Sequence, residues 1–433
     1  MSFRSRLFFL LIFGLFACAC LSAQDTYVHV QKVLIEGNKK TKEKIITREL
    51  NIQVGDSIAL TELSDRLDFN RLQLMNTGLF ANVLVNIKEW NADNEISVNI
   101  EVTETWYFYP VPVFELADRN FNVWWVEYNR SLKRINYGLH FYHFNVSGHR
   151  DLLDALIQFG FTTKVELEYR LPFINRRQTL GLTSEFLLAR NREVNYATEE
   201  DKQAFFRSDD AVLLRRLRTG LTLSYRPRLQ AYQRLRLRYH RNLIDETVRD
   251  ALNTDYFLGD VQQRYFSLGY DFVLDQRDIR PYPLNGRFLF FNVRKEGLGI
   301  FDDLNGMYTS LEYRHYHSFS DTWSLAGIAK GRAALIRKQQ PFYNSQALGY
   351  NLDYIRGYEY YVIDGLDYAY TKIDLRWRFF NRPINFGKLM PFEAFRVMPL
   401  RLYLVLFNDL GWANNPYYRA ENTLPNELLV GYG

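Results

Sequence analysis

The sequence contains only two cysteines, Cys18 and Cys20, and both lie close to the N-terminus. Residues 1–23 have the layout of a cleaved secretory signal, with arginines at the start, an apolar core and small residues near the expected cleavage point. Cleavage after Ala23 leaves a mature chain without cysteine, which excludes disulfides and thiolate chemistry. A lipoprotein signal that ends at one of the two cysteines is the alternative, although the residues preceding them are bulky for it.

Beyond the signal, the sequence has no stretch of about eighteen apolar residues, the length that a membrane-spanning helix needs. Helical membrane spans are therefore not expected, whereas strand-type spans remain open. The 54 basic residues nearly balance the 49 acidic ones and form no conspicuous run, so a nucleic-acid partner is not expected. Phosphate-binding glycine loops and Gly-x-Ser-x-Gly elbows are also missing, so the sequence predicts no enzyme.

Four histidines occur as two close pairs, His140 with His143 and His315 with His317. On a strand the second pair shares one face and the first does not, because side chains alternate between faces. A metal site needs further ligands, and the pattern does not identify them. We therefore interpret these histidines as residues of a strand wall and expect neither a metal nor a cofactor.

Aromatic residues are abundant, with 30 tyrosines and 33 phenylalanines among 433 residues. The segment 27–105 combines helical and strand periodicity, with turns marked by Gly37 and Gly78. It predicts a β-α-α-β-β order: a strand that ends near Gly37, helices over 41–50 and from Thr61 to Gly78, and strands over Phe80–Trp90 and 96–103.

This segment resembles a POTRA module, the polypeptide-transport domain that precedes certain outer-membrane barrels. The resemblance is carried by Ile35-Glu-Gly-Asn38, by Leu74-Met-Asn-Thr-Gly-Leu-Phe80 and by Val83. A generic small α+β domain is the alternative. An exposed sheet edge in such a module could bind an extended client by strand addition.

From Trp106 onward the helical period disappears and apolar residues alternate with charged ones. Leu235 and Leu237, for example, alternate with Arg234, Arg236 and Arg238. A soluble sandwich could show this local pattern. A membrane barrel is favoured because the strands are long enough for tilted spans, aromatics cluster at strand ends, and the signal directs export.

The alternation predicts thirteen strands, and residues 428–433 begin a fourteenth. The predicted strands are 107–116, 132–144, 152–160, 163–171, 178–190, 213–226, 231–242, 264–274, 286–295, 307–319, 322–336, 367–380 and 400–411. If the first strand leaves the periplasm, connections after odd-numbered strands face outward and should be long. Three of them are long, 191–212, 243–263 and 337–366, whereas the gap 381–399 after the twelfth strand is an exception.

Three short motifs follow in this region. The turn after the eighth strand carries Asp275-x-Arg277-Asp278, then Pro283 and Gly286. The loop after the eleventh strand carries Ile355-Arg356-Gly357-Tyr358, and the thirteenth strand ends with Phe407-x-Asp409-x-Gly411. Each motif alone is compatible with an ordinary turn, because aspartate, arginine, proline and glycine are common turn formers.

Together, the motifs resemble the outer-membrane protein assembly factors, the BamA/TamA-like bacterial surface-antigen barrels. The resemblance implies a mainly β fold, with a POTRA-like domain over 27–105 and a transmembrane antiparallel β-barrel of the 16-stranded type over 106–433, whose C-terminal strands are expected to be missing from this chain. It also implies that the loop around Arg356 folds into the lumen and that Arg356 pairs with Asp409.

By the same resemblance, the chain would sit in the outer membrane of a Gram-negative cell, with its N-terminal domain in the periplasm. Its partners would be unfolded outer-membrane proteins as clients, the lipid bilayer and accessory lipoproteins. It would insert clients at a seam between its first and last strands, where Pro110 and Pro112 cannot donate ladder hydrogen bonds. A POTRA-dependent secretion pore is the runner-up, and a passive porin or adhesin comes third.

Overall fold

The structure is a computed structural model that describes residues 26–118, 120–175, 177–228, 230–278, 281–350, 352–390 and 396–433. The predicted signal segment, 1–23, lies outside the described residues. The chain divides into two compact units. One runs to Tyr107 and includes Asn145–Arg150, and the other comprises Phe108–Phe144 and Asp151–Gly433.

The first unit is a small α+β domain. Its strands are β1 (Tyr27–Glu36), β2 (Ser57–Ala59), β3 (Phe80–Trp90) and β4 (Glu95–Glu104), and its helices are α1 (Glu43–Glu49) and α2 (Leu60–Asn76). The sheet order is β2-β1-β4-β3, in which β1 and β4 run parallel. Strand β2 was not predicted, because its three residues are too few to show a period.

The core of this domain joins the two helices to the sheet. Ile46 of α1, Leu74 of α2 and Ile96 of β4 are fully buried. Gly37 has φ +88°, and a Cβ there would lie 2.0 Å from the carbonyl oxygen of Val102, so only glycine fits this turn. Steric exclusion of a side chain at this turn therefore explains why the Ile-Glu-Gly-Asn segment contains a glycine.

The second unit is an antiparallel sheet of fourteen strands. Its strands are β5 (Phe108–Leu116), β6 (Ile135–Phe144), β7 (Leu152–Gly160), β8 (Thr162–Leu171), β9 (Leu180–Asn191), β12 (Leu214–Arg228), β13 (Ala231–Ile244), β14 (Gln262–Asp275), β15 (Gly286–Glu296), β16 (Gly306–Ser318), β17 (Trp323–Ala334), β20 (Asp367–Asn385), β21 (Val397–Asn414) and β22 (Leu428–Tyr432). They pair in chain order, so each strand neighbours the next one of the sheet. In the described part of the chain, β5 and β22 form the two edges.

Two additional hairpins interrupt this order. Strands β10 (Glu193–Glu199) and β11 (Lys202–Arg207) pair with each other, as do β18 (Gln346–Leu348) and β19 (Ile363–Asp364). Both lie within connections that the sequence predicts to be outward loops. Connections between the strands also contain short helical turns: Val123–Glu127, Leu132–Arg134, Val248–Leu252, Thr254–Tyr256, Phe342–Asn344 and Gly387–Leu389.

The predicted fold class is confirmed: the chain is mainly β, and a small α+β domain is followed in the sequence by a long antiparallel sheet. The connection after the twelfth strand, predicted over 381–399, is shorter in the structure, because β20 extends to Asn385 and β21 begins at Val397. No helix in the described ranges is long and apolar enough to cross a membrane.

Alternation along each strand separates an apolar face from a polar one. On β13, Leu235 and Leu237 are exposed, whereas Arg236 on the opposite face pairs with Asp271 of β14. An apolar outward face is suited to contact with lipid, and a charged enclosed face is suited to a water-filled interior. This arrangement places the charged side chains of the motifs on the enclosed face.

Candidate functional site

The connection 335–366, between β17 and β20, holds the Ile-Arg-Gly-Tyr motif against the end of β21. Ile355 is 1% exposed and belongs to an apolar cluster with Leu348 and Leu429. Its Cδ1 lies 2.5 Å from the point where a Cβ on Gly411 would stand. Gly411 therefore makes the recess that accepts Ile355, since any larger residue would displace it.

Arg356 pairs with Asp409, a carboxylate that is fully buried on β21. Arg356 Nε donates to Asp409 Oδ2 at 2.8 Å, Nη2 donates to Oδ1, and the backbone nitrogen of Arg356 donates to Oδ2 at 3.2 Å. The guanidinium also lies 3.9 Å from the ring centroid of Phe407. This forked geometry uses both carboxylate oxygens and the aromatic ring at once, which a lysine could not do.

A second carboxylate, Asp374 of β20, completes the site. Arg356 Nη2 donates to Asp374 Oδ1 at 2.7 Å. The hydrogen bond to Asp409 is the main cause that raises the pKa of Arg356 above its ordinary value. The loop is therefore held by a permanent cation between two carboxylates, and we call Arg356, Asp374 and Asp409 the latch.

The tip of the loop is also a tight turn. Gly357 has φ +94°, and its nitrogen donates to Glu359 Oε2 at 3.0 Å. The nitrogen of Tyr358 donates to the carbonyl of Ile355 at 3.0 Å, and its ring packs against the apolar cluster. The turn geometry presents Ile355 and Arg356 to β21, so turn formation and inward binding are parts of one arrangement.

Asp353 adds another anchor that sequence reasoning missed. Lys330 of β17 donates from Nζ to both carboxylate oxygens, at 2.6 and 2.7 Å, and the hydroxyls of Tyr368 and Tyr370 donate at 3.3 and 3.0 Å. Lys330 is 23 residues away along the chain, and no local spacing links it to Asp353. Only the folded sheet brings the two together.

The turn between β14 and β15 uses all five of its predicted residues. Arg277 forks onto Asp275 at 2.8 and 3.0 Å, and its guanidinium lies 4.7 Å from the ring centroid of Phe288. Asp278 accepts from the backbone nitrogens of residues 284 and 285. Gly286 has φ +105°, and a Cβ there would lie 2.2 Å from the carbonyl oxygen of Gln276.

Pro283 connects this turn to a distant strand. Its carbonyl accepts a hydrogen bond from Arg376 Nη1 of β20 at 3.2 Å. The five motif residues therefore shape a turn whose backbone reaches another part of the sheet.

The outward hairpin β10–β11 is bound to two later connections. Asp201, at its tip, is 4% exposed and accepts from the nitrogen and Oγ1 of Thr423, at 2.9 and 2.8 Å. Its own carbonyl accepts from the nitrogen of Val362 at 2.8 Å, and Asn422 Oδ1 accepts from its nitrogen at 2.8 Å. One aspartate thus joins three outward connections, and it was not predicted from the sequence.

Asp364 of β19 is the most strongly shifted carboxyl in these connections. Burial raises its pKa from an ordinary 3.8 to about 6, against the hydrogen bonds from Tyr350 and Thr198 and the charge of Arg419, all of which favour the ionised form. The Tyr350 hydroxyl donates to it at 2.6 Å. This carboxyl changes charge near neutral pH, outside the main sheet.

The side chains around the latch bind and position; they do not form a nucleophile with an adjacent base. Over the described ranges, no cluster of three or more histidine, cysteine, aspartate or glutamate residues could hold a metal ion. His140 of β6 instead lies 2.5 Å from an Asp154 oxygen on β7 and 2.9 Å from the Tyr142 hydroxyl. What the site can do is hold a loop against the inner face of the sheet.

Comparison with known proteins identifies the N-terminal domain and the fold. Residues 28–105 match the POTRA family, described as a surface antigen variable number repeat. The structure is similar to BamA from Haemophilus ducreyi lacking POTRA domains 1–3, with a TM-score of 0.62, 14% sequence identity, and coverage of 90% of this chain and 72% of that one. It is also similar to CdiB from Escherichia coli, with a TM-score of 0.52, 12% identity, and coverage of 94% and 69%.

No curated protein sequence matches this one. At such low identity the two likenesses establish the fold. The resemblance to BamA-like surface-antigen barrels is confirmed at that level, by a POTRA domain joined to a barrel of their type.

Proposed function

We propose that this chain, with a POTRA domain at 28–105 and a barrel of the BamA fold, is an outer-membrane protein assembly factor. Its POTRA domain receives unfolded β-barrel clients in the periplasm, and its barrel inserts them into the outer membrane. The lipid bilayer and accessory lipoproteins are its other partners. No covalent step, metal or cofactor takes part.

The observation that supports this proposal is that the chain combines a POTRA domain with a later barrel region that contains the latch. A simple pore has no need for a loop whose arginine is held by Asp409 and Asp374 inside the sheet. A barrel that opens at one side and closes again needs its remaining strands to stay paired, and a loop bound to the later strands would stabilise them. The latch ties the connection before β20 to both β20 and β21, close to the β22 edge.

The edges of the sheet supply the place for insertion. β5 contains Pro110 and Pro112 and pairs with β6 over nine residues, while its other side has no neighbour in the described part of the chain. Proline has no backbone N–H to donate to a ladder, so within sheets it is found mainly on edge strands, where that donor is not needed on the open side. A client strand that adds to β5 therefore meets a weakly held edge.

Hydrogen exchange tests this seam directly. We expect the amides of residues 108–116 in the intact barrel to exchange much faster than those of β13, which is paired on both sides. Protection of β5 equal to that of β13 would contradict a seam at this strand.

The POTRA domain offers two strand edges, β2 and β3. β3 spans eleven residues, long enough to hydrogen-bond an extended client segment. Because backbone hydrogen bonds carry no side-chain information, such an edge suits clients of many sequences. We therefore assign client reception to this domain.

A secretion pore for one dedicated client is the second candidate. The enclosed face of β12–β14 is strongly polar, and its arginines share two carboxylates: Arg218 and Arg238 contact Glu185, and Arg234 and Arg236 contact Asp271. A polar wall of this kind would also suit a polypeptide passing through the lumen. A passive porin or adhesin is third, because it gives no role to the latch.

Depletion of the protein followed by quantitative proteomics of the outer membrane separates the three candidates. General loss of barrel proteins supports insertion, loss of one exported client supports secretion, and an unchanged proteome contradicts both. Complementation with the unaltered chain and with the Arg356→Ala variant should restore barrel proteins fully in the first case and incompletely in the second.

A further inference from the structure

Arg376 of β20 is an arginine that no motif includes, yet it is 9% exposed and lies between the two motif regions. It points to the enclosed face of the sheet, two residues from the latch carboxylate Asp374. A guanidinium buried to this extent must have its charge and its donors satisfied. The groups that contact the Arg376 guanidinium therefore indicate its role.

On one side, Arg376 contacts the turn between β14 and β15. Nη1 donates to the Pro283 carbonyl at 3.2 Å, and the guanidinium lies 4.7 Å from the ring centroid of Tyr282. The Tyr282 ring lies 4.9 Å from that of Tyr403 on β21. Residues of the β14–β15 turn therefore contact β20 and β21, the two strands that carry the latch carboxylates.

On the other side, Arg376 contacts the latch itself. Nη2 donates to Asp374 Oδ2 at 3.2 Å, while Asp374 Oδ1 accepts from Arg356 at 2.7 Å. The two oxygens of one carboxylate are therefore divided between two arginines. Arg376 fixes the rotation of the carboxylate and so aims the second oxygen at Arg356.

Lys372 is a further cation near these carboxylates. It lies opposite Asp409 in the register of β20 and β21 and interacts electrostatically with Asp409 and Asp374, while its ammonium lies over the rings of Tyr354 and Tyr370, at 4.5 and 5.4 Å. Arg376 differs from Lys372 because it donates a hydrogen bond directly to Asp374.

We propose that Arg376 is a positioning residue that couples the β14–β15 turn to the latch. The turn holds Arg376, Arg376 orients Asp374, and Asp374 contributes to holding Arg356. By strand direction, this turn and the latch loop come from opposite rims of the barrel, because one follows an even-numbered and the other an odd-numbered strand of the sheet. A partner that moves the turn would therefore loosen the loop at the far rim.

This role gives the Asp-x-Arg-Asp-x₄-Pro-x-x-Gly turn a function. Arg277, Asp278 and Gly286 shape the turn, and the shape presents the Pro283 carbonyl and the Tyr282 ring to Arg376. The inference deepens the proposed function, and it rests on that function only for its biological meaning.

Hydrogen exchange of the latch loop, residues 353–361, tests the coupling on the purified barrel without any client. We expect Arg376→Gln and Asp374→Asn each to speed exchange of this segment, within the roughly 5- to 150-fold range of coupling between sites. If Arg376 acts through Asp374, the double variant should exchange no faster than Asp374→Asn alone. Additive effects, or wild-type exchange in Arg376→Gln, would overturn the proposal.

Two further variants separate coupling from general damage. Tyr282→Leu removes the ring over Arg376 and should speed loop exchange, while Tyr282→Phe keeps the ring and should restore it. Arg378→Gln, two residues along the same strand, serves as the matched control and should leave the loop unchanged. If Arg376→Gln does not yield a folded barrel, the Tyr282 pair decides: equal exchange in the Leu and Phe variants would refute the coupling.

Discussion

Replacing Arg356 by alanine should release the latch loop and weaken the barrel. Asp409 is fully buried and receives three hydrogen bonds from Arg356, so the variant leaves this carboxylate without its main partner. Breaking a dry buried pair costs about 3–5 kcal/mol. The Arg356 side chain is 23% exposed, and water from the lumen can partly replace it, so we expect about 2–3 kcal/mol.

That free energy corresponds to a roughly 30- to 150-fold rise in the fraction of open loop. Surface protease should cleave near residues 353–361 correspondingly faster, and the barrel should lose its heat-modifiable mobility at a lower temperature. Arg249→Ala is the matched control, because Arg249 forms an exposed pair with its neighbour Asp250 and such pairs contribute little. The double variant Arg356→Ala, Asp409→Asn should be less impaired than the sum of the single changes.

Unchanged protease resistance and unchanged heat-modifiability in Arg356→Ala would refute the latch. Full additivity of Arg356→Ala and Asp409→Asn would also contradict it, because residues in direct contact are expected to couple by 0.5 kcal/mol or more, on the order of the values found for contacting pairs.

Three further predictions concern the surroundings of the latch. Gly411→Ala should displace Ile355 and cost about 1–3 kcal/mol, and adding Ile355→Ala should relieve much of the crowding; thermal unfolding of both variants measures this. Burial raises the pKa of Asp364 to about 6, so the stability of the folded connections should be greatest below about pH 4 and should fall as the pH rises to 6, which protease sensitivity between pH 4 and 7 records. Asp201→Ala should free the β10–β11 hairpin, since it removes the acceptor of two hydrogen bonds from Thr423, and exchange of residues 198–205 should rise.

Each of these has a result that would contradict it. Gly411→Ala and its double variant with equal stability would show that the recess does not matter. Asp364→Asn should abolish the pH dependence, and a persistent dependence would assign it to another group. Asp210→Ala, a change at an exposed loop position, is the control for Asp201, and equal exchange in the two variants would argue against the bound hairpin.

Strand positions could be predicted closely because the two-residue period is a local property. The predicted strand over 152–160 coincides with β7, and that over 231–242 falls within β13 (Ala231–Ile244). The hairpins β10–β11 and β18–β19 could not be predicted, since they lie in connections whose residues are held by other connections. Asp201, for example, binds a residue 222 positions away.

The residues of the latch region also divide into those that the sequence could predict and those that it could not. The motif residues Arg356 and Asp409 could be named in advance through a family resemblance, and Gly411 through the same pattern. Asp374, Arg376 and Asp353 could not, because each has a partner in a segment that is distant along the chain: Arg356, the Pro283 carbonyl and Lys330, respectively. Their roles depend on which side chains face the same enclosed space.

The sequence by itself predicted export, a small POTRA-type domain and a run of long two-faced strands, because signals, turns and alternation depend on neighbouring residues; the structure and the family match confirm the domain and the strands. Only the tertiary structure decided which charges meet. Strand pairing and sheet curvature bring Arg356, Asp374 and Asp409 together across a hairpin, and Arg376 links them to a turn 93 residues earlier. Buried charges need partners, and only the folded sheet specifies which residues those partners are.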